Sequence, residues 1–331
     1  MQLNLPLRII GIGRYLPPCI VSSAELETRY ALPPGWIERR NGVRERRMVT
    51  TETASFMAAE AAREALHEAA LQPDQLDLII NASGTAEQAI PDTSALIQRQ
   101  LGLGSSGIPA MSVHTTCLSF ITALETAAHF LHTGRYRRIL IVSADISSCG
   151  TNPREPESAT LMGDAAAAVI VTRPVEGERS AIHHAHFKTY SDGAPFTSIK
   201  GGGSARHPAK AGHNPEDDLF HMDGTAILRM VRGIDETFLE ELAPGLSKSL
   251  LDIDLVVPHQ SSKVGLHMLQ RYGWPEEKIV QTLDTLGNCV AASIPVTLYQ
   301  AVRDGNLQRN HKLLIIGTGA GLSIGGIIMT W

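Results

Sequence analysis

The chain has 331 residues, of which 43 % are hydrophobic and 19 % charged, with a net charge of −5. It is too apolar and too weakly charged for a disordered chain, and no overall positive field favours nucleic acid or an anionic membrane. The length suits two domains or one duplicated unit, and aromatic residues are scarce at 5 %.

In chain order, short apolar runs read as buried strands over Leu7–Ile12, Leu76–Asn81, Ala110–His114, Ile139–Ser143 and Ala166–Thr172. Helical patterns alternate with them at Thr53–Ala70, Thr93–Leu101 and Phe120–His132. This alternation predicts a mostly parallel sheet covered on both faces. Pro174–Pro215 is rich in Gly, His and Pro and reads as irregular, so the chain divides near residue 175 into halves 1–175 and 176–331. The second half reads as a long helix over His221–Leu242, a strand at Ile253–Pro258, a helix at Ser262–Tyr272 and a short strand at Ile279–Gln281. It continues with a helix at Pro295–Asp304 and closing strands at Leu313–Ile316 and Leu322–Met329. Leu313 to Trp331 carries no charge, but its five glycines favour a buried strand–turn–strand over a membrane span. The N-terminal MQLNLPLRIIGIG lacks the layout of a signal peptide, so a cytoplasmic protein is expected.

Two motifs read as structure. Gly11-Ile12-Gly13 follows a strand, but Arg14-Tyr15-Leu16-Pro17-Pro18 cannot open the helix that a dinucleotide fingerprint needs. His183, His184 and His186 lack acidic or cysteine partners at ligand spacing, so they read as a solvated segment and no metal is expected. The run Arg39 to Arg47 holds five arginines beside Trp36, an aromatic face next to phosphate ligands or a solvated basic surface.

Of the four cysteines (Cys19, Cys117, Cys149 and Cys289), none forms a C-x-x-C pair. Cys117 falls between a strand and a helix, where a helix N-terminus lowers a thiol pKa and backbone N–H groups can hold an oxyanion. His259 closes the strand ending Val256-Val257-Pro258, and Asn288 sits in a turn before a helix. Together they offer two neutral donors for a thioester carbonyl. Gly317-Thr318-Gly319-Ala320-Gly321 is a turn that brings amides close to a reacting oxygen.

In order and spacing these segments resemble β-ketoacyl-[acyl carrier protein] synthase III and its relatives in the thiolase superfamily. The resemblance runs from residues 11–17 through Trp36-Ile37, Gly42-Val43-Arg44-Glu45-Arg46, the Cys117 turn, Met162-Gly163-Asp164-Ala165-Ala166, Pro258-His259-Gln260 and Gly287-Asn288 to the glycine-rich C-terminus. It implies a thiolase-like α/β fold of two duplicated βαβαβαββ halves in five layers, αβαβα, as a homodimer. It implies a decarboxylative Claisen condensation with no bound cofactor, in which Cys117 takes the acyl group from acyl-CoA. A malonyl thioester, on acyl carrier protein or CoA, is then decarboxylated against His259 and Asn288. The amides of Cys117 and Ala320 would form the oxyanion hole.

Trp36 and Arg40 match the positions that sandwich the CoA adenine, while the arginine that completes the stack falls near Pro156, with only Arg154 close by. Ser262 replaces an asparagine that contacts pantetheine. Arg229 and Arg271 match basic positions that contact the carrier protein, and a third falls at Val264, one residue after Lys263. Ile90 stands where the partner subunit usually offers a phenylalanine to the acyl pocket. The loss of that ring enlarges the pocket and predicts a specialised member taking chains longer than acetyl. Rival readings are a papain-like protease, transfer of the acyl group to an alcohol or amine without decarboxylation, and a non-catalytic partner subunit.

Overall fold

The computed structural model describes residues 3–210, 212–249 and 251–331. Fourteen strands are found among them. In the first half these are β1 (Leu5–Pro6), β2 (Arg8–Tyr15), β3 (Cys19–Ser22), β4 (Glu45–Met48), β5 (Leu78–Asn81), β6 (Ala110–Ser112), β7 (Ile139–Asp145) and β8 (Ala165–Thr172). The second half adds β9 (Ala181–Thr189), β10 (Thr197–Ser198), β11 (His221–Met222), β12 (Leu255–Pro258), β13 (Lys312–Gly319) and β14 (Ser323–Thr330).

Two five-stranded sheets form the frame, in the orders β2-β8-β7-β5-β6 and β1-β9-β14-β13-β12. Their pairings repeat. In the first sheet β2·β8 and β8·β7 are antiparallel, while β7·β5 and β5·β6 are parallel. In the second, β9·β14 and β14·β13 are antiparallel and β13·β12 is parallel. Beyond β12 a single parallel bridge joins Val256 to Ile279, at the place β6 occupies in the first sheet. The duplication, weak in sequence, is plain in topology, and the strand expected at Ile279–Gln281 is reduced to that one bridge.

The alternation of side chains along each strand builds the layers. Leu78, Ile80, Ile139 and Ile141 of the first sheet and Leu313, Ile315, Ile327 and Met329 of the second face one shared core. That core also holds the helices Ser119–His132 and Ser293–Arg303. The intervening residues Ile79, Leu140, Val142 and Ile170 pack outward against the helix Ala54–Glu68. Val256, Leu314, Ile316 and Ile328 pack outward against Asp235–Leu242. The result is the five-layer αβαβα arrangement of the thiolase fold. Because every central strand is buried on both faces, the strands read as unbroken apolar runs.

Gly11 and Gly13 serve the layer contact. A Cβ at either would lie 2.1 Å from the carbonyl oxygen of Ala65 or Ala61 on the helix Ala54–Glu68. Small residues on both sides let this helix sit directly on β2.

Three expectations are corrected. The sheets are mixed and not mostly parallel, since five of their eight pairings are antiparallel. Residues 174–215 are not wholly irregular: they contain β9, nine residues long, which lies between β1 and β14. The long helix over 221–242 is instead β11 followed by two helices, Gly224–Val231 and Asp235–Leu242, interrupted at Gly233. Asp223 caps the first by accepting from the N–H of Ala226 at 2.9 Å, and glycine disfavours helix continuation. No helix among the described residues is long and apolar enough to cross a membrane.

Candidate active site

Cys117 sits on a strained elbow between β6 and the helix Ser119–His132. Thr116, a β-branched residue, adopts φ +52°, a left-handed conformation such residues rarely take. The turn is closed by Ser119: the N–H of Thr115 donates to its Oγ at 3.0 Å, and the hydroxyl donates to the carbonyl of Thr116 at 2.6 Å. The fold thus presents Cys117 at the start of a 14-residue helix that is buried between the sheets.

The second sheet supplies the other groups. His259 follows β12, and its N–H donates to the carbonyl of Ile316 on β13 at 2.8 Å. The imidazole is buried at 5 % exposure, and its Nδ1 has no hydrogen-bond partner among the described residues. Burial pushes its pKa down to about 4, so the ring is neutral at physiological pH. Gln260, fully buried, fixes this corner. Its amide donates to the carbonyls of Pro258 and Val280 at 3.0 and 3.2 Å and accepts from the N–H groups of Thr282 and Leu283 at 3.0 and 3.1 Å.

Asn288 is stitched to the first half through its backbone. Its N–H donates to the carbonyl of Leu161 at 2.8 Å, and its carbonyl accepts from the N–H of Gly163 at 3.1 Å. Its side-chain Oδ1 accepts from the N–H of Val290 at 2.9 Å. Only an oxygen can accept there, so the amide nitrogen is turned the other way, with one weak bond to the carbonyl of Ser261 at 3.3 Å and a second N–H to offer.

The glycine turn closes the floor. A Cβ at Gly317 would meet the Cβ of His259 at 2.7 Å and Leu118 at 3.2 Å, and one at Gly319 would meet Oγ1 of Thr116 at 2.7 Å. These absent side chains let the residues beside the thiol and the imidazole converge.

Cys117, His259, Asn288 and Ala320 line one cavity of about 2010 Å³, together with Trp36, Arg40 and Ser262. Ser262 caps the helix Lys263–Gln270, its Oγ accepting from the N–H of Gly265 at 3.1 Å. Ile90 is not part of the lining and stands 85 % exposed. Arg229, Lys263 and Arg271 are exposed outside the cavity, Arg271 at 3.9 Å from Asp235.

The thiol is not lowered in pKa as its place at a helix start suggested. Burial, reinforced by the negative charge of Asp145, pushes Cys117 up to about 12. The N–H groups of Ala320 and of Cys117 itself pull the other way without prevailing. The free thiol is therefore protonated at neutral pH.

The arginine run also differs from a phosphate patch. Arg46 is wholly buried, donating to the carbonyls of Val21 and Thr160 at 3.3 and 2.7 Å and to Oγ of Ser23 at 3.1 Å. Arg47 donates to the carbonyl of Pro17, Arg44 pairs with Asp284 at 2.7 Å and Arg40 with Glu157 at 2.9 Å. The histidines of β9 are structural in setting: His183 bonds Oγ1 of Thr330 at 2.7 Å and His186 bonds Glu241 at 3.2 Å. No cluster of metal-ligating side chains is found among the described residues.

Sequence reasoning missed Asp145. It ends β7 with no surface exposed, accepting at Oδ1 from the N–H groups of Gly84 and Thr85 and the hydroxyl of Thr85 at 2.8–2.9 Å. Its Oδ2 accepts from the N–H of Ala292 at 3.0 Å. It thereby ties the cavity-lining turn at Gly84-Thr85 to the segment following Asn288. A lone acidic residue at a strand's end gives no sequence signal for this.

Among known proteins, the chain matches the family described as 3-oxoacyl-[acyl-carrier-protein (ACP)] synthase III over residues 111–193 and its C-terminal part over residues 246–331. It is 34 % identical to the beta-ketoacyl-[acyl-carrier-protein] synthase III of Listeria innocua, over 98 % of both chains. It is 33 % identical to that of Syntrophomonas wolfei, over 99 % of this chain and 98 % of the relative. The crystal structure of 3-oxoacyl-[acyl-carrier-protein] synthase III from Aquifex aeolicus superposes with a TM-score of 0.86 at 30 % identity, covering 98 % of this chain and 100 % of the other.

Proposed function

The chain belongs to the 3-oxoacyl-[acyl-carrier-protein] synthase III family, and from that membership and the site we infer a decarboxylative Claisen condensation run from Cys117. The observation that carries this reading is the meeting of Cys117, His259, Asn288 and Ala320 in one cavity. Each has a donor or nucleophile the reaction needs.

In the first half-reaction Sγ of Cys117 attacks an acyl thioester. The Sγ–acyl bond forms, the carbon–sulfur bond of the donor breaks, and the thiol proton leaves with the departing thiolate. The N–H groups of Cys117 and Ala320, already directed at the sulfur, stabilise the oxyanion on the way. Burial pushes the Cys117 thiol up to about 12, so its proton is given up in the course of the attack and ends on the departing thiolate.

In the second half-reaction a malonyl thioester binds, and N–H donors of neutral His259 and Asn288 hold its thioester oxygen. Carbon dioxide leaves, the bond electrons pass to the enolate, and the enolate carbon attacks the acyl carbonyl. The β-ketoacyl thioester departs, and the Cys117 thiolate regains a proton from solvent. Two neutral donors suit this step because a cation held there would stabilise the malonyl carboxylate as well as the enolate.

Ile90 and the large cavity support a preference for chains longer than acetyl. Trp36, Arg40 and Ser262 would contact the CoA or pantetheine portion. Arg229, Lys263 and Arg271 would meet a carrier protein. A second copy of the chain would bring its Ile90 to the acyl pocket, giving a homodimer. We take residue 175 as the divide between the halves, and the cytoplasm, where acyl-CoA and malonyl thioesters are found, as the location. Intact-mass analysis after mixing with acyl-CoAs of graded length tests the chain-length reading: labelling of Cys117 is expected to be faster with longer chains, and labelling by acetyl-CoA alone would overturn it.

A further inference from the structure

The cavity that holds Cys117 has about 2010 Å³, well beyond the roughly 300–1,000 Å³ of ordinary small-molecule pockets. It extends from the thiol to the outer face of the second sheet. There Ile316 of β13 and Ile324 of β14 line it, although both also belong to the core between that sheet and the helix Asp235–Leu242. The facing wall is the helix Gly224–Val231. Its Ile227, Leu228 and Val231 share one face by their spacing, and all three line the cavity. No residue of this helix is fully buried. Its apolar face therefore meets open space and not a packed core.

This apolar arm holds one polar pair. Asp235, at the start of the helix Asp235–Leu242, is 8 % exposed and lines the cavity. Its Oδ1 accepts from the N–H of Glu236 at 2.9 Å, while its buried Oδ2 has no hydrogen-bond partner among the described residues. Nη1 of Arg271 stands 3.9 Å from that oxygen, close enough to offset its charge and too far to hydrogen-bond. The hydroxyl of Tyr272, which also lines the cavity, is buried and likewise without a partner among the described residues. Burial and the neighbouring Asp235 carboxylate push Tyr272 above its ordinary pKa, so this hydroxyl keeps its proton. An acceptor and a hydroxyl thus stand side by side, desolvated and unsatisfied, at a cost in free energy that a fitting ligand would remove.

Resting on the acylation of Cys117 inferred above, we propose that this arm receives the acyl chain held by Cys117 and that Asp235 and Tyr272 select a chain ending in a hydroxyl group. The apolar walls take up the methylenes. The terminal hydroxyl donates to Oδ2 of Asp235 and accepts from the hydroxyl of Tyr272, a match that needs a donor and an acceptor on one small group. A methyl end leaves both protein groups unpaired, the situation in which a site discriminates most strongly between near-identical substrates. A terminal carboxylate would face Asp235, and a terminal ammonium would lose its hydration in an arm where Arg271 already offsets the carboxylate.

Initial rates of Cys117 labelling, followed by rapid quench and intact mass, test this with ω-hydroxyacyl-CoAs of graded length, each against its methyl-ended counterpart. At the length that reaches the pair, the hydroxyl-ended chain is expected to be preferred by about tenfold or more in kcat/KM, whereas a merely apolar arm would prefer the methyl end. Tyr272→Phe removes one oxygen and keeps the ring beside Trp274, and it is expected to cut that preference to less than about threefold, as is Asp235→Leu. Val231→Trp fills the arm from its partly exposed wall and is expected to slow long chains of both kinds by about tenfold or more relative to the shortest chain that labels. A methyl end favoured or equal at every length overturns the proposal, as does a hydroxyl preference that Tyr272→Phe and Asp235→Leu leave intact, or a Val231→Trp variant that takes long chains unimpeded. If no thioester labels Cys117, the acylation reading fails and takes the proposal with it, whereas labelling without a hydroxyl preference overturns the proposal alone.

Discussion

The floor of the cavity and its entrance are built by different rules. At the floor the backbone holds each group in place, as with Asn288, whose oxygen is fixed by Val290 so that its nitrogen is presented. At the entrance, exposed charges pair with one another: Arg40 and Glu157 are each about half exposed, at 59 % and 51 %. Preorganised donors in a dry site strengthen as charge develops, whereas exposed ion pairs are worth about 0–1 kcal/mol and are screened by salt. The floor therefore offers fixed donors, and the entrance offers exchangeable charges.

Substitutions at the floor give the largest effects. Cys117→Ala removes the acyl-enzyme mass altogether. His259→Ala and Asn288→Ala each slow carbon dioxide release from a malonyl thioester by roughly 10²–10³-fold, the usual cost of one oxyanion donor, while acylation of Cys117 persists. Equal loss of both half-reactions in these variants would erase the division of labour between the two sheets.

Asp145→Asn sharpens the contrast because its two effects have opposite signs. Loss of the carboxylate removes a negative charge beside the thiol, which lowers the Cys117 pKa, so alkylation by iodoacetamide at pH 8 speeds up. The new amide N–H₂ cannot accept from Ala292, so the segment after Asn288 loosens and condensation slows by about tenfold or more. Parallel changes in both rates would contradict the clamp. In the unaltered enzyme the alkylation rate is expected to climb about tenfold per pH unit from pH 7 to 10, since the thiol stays protonated until about 12.

Gly319→Ala places a methyl against Oγ1 of Thr116 and is expected to cost about 1–3 kcal/mol of stability along with activity. Gly104→Ala, where the added atom meets nothing within 4 Å, serves as the control and is expected to leave the thermal midpoint unchanged. The smallest effect belongs to the entrance: Arg40→Ala is expected to change acylation by a carrier-borne donor less than threefold, measured as kcat/KM.

The sequence disclosed the floor because its chemistry demands particular residue types at strand ends. A nucleophile before a helix, a histidine after a buried strand and an asparagine before a helix are each visible locally. That the sheets are covered on both faces was visible for a similar reason, since such strands must be apolar throughout, whereas the five layers were implied by the family resemblance. What escaped depends on distant partners. Asp145 acquires its role from Gly84, 61 residues away, and from Ala292, 147 residues away. β9 looked irregular because its histidines and lysine sit between glycine- and proline-rich segments, yet pairing with β14 holds it in the sheet. Gly233 was outweighed by the apolar pattern around it, and the arginine run hid that Arg46 is a buried brace between segments.

The central claim is that Cys117 passes its acyl group to a carbon made nucleophilic by decarboxylation. The direct measurement loads Cys117 with an acyl group, removes excess donor, adds a malonyl thioester, and follows protein mass and released carbon dioxide together. The account predicts loss of one acyl group from the protein for each carbon dioxide released, with a β-ketoacyl thioester as product. Discharge of the acyl group to water, an alcohol or an amine without carbon dioxide release would contradict it.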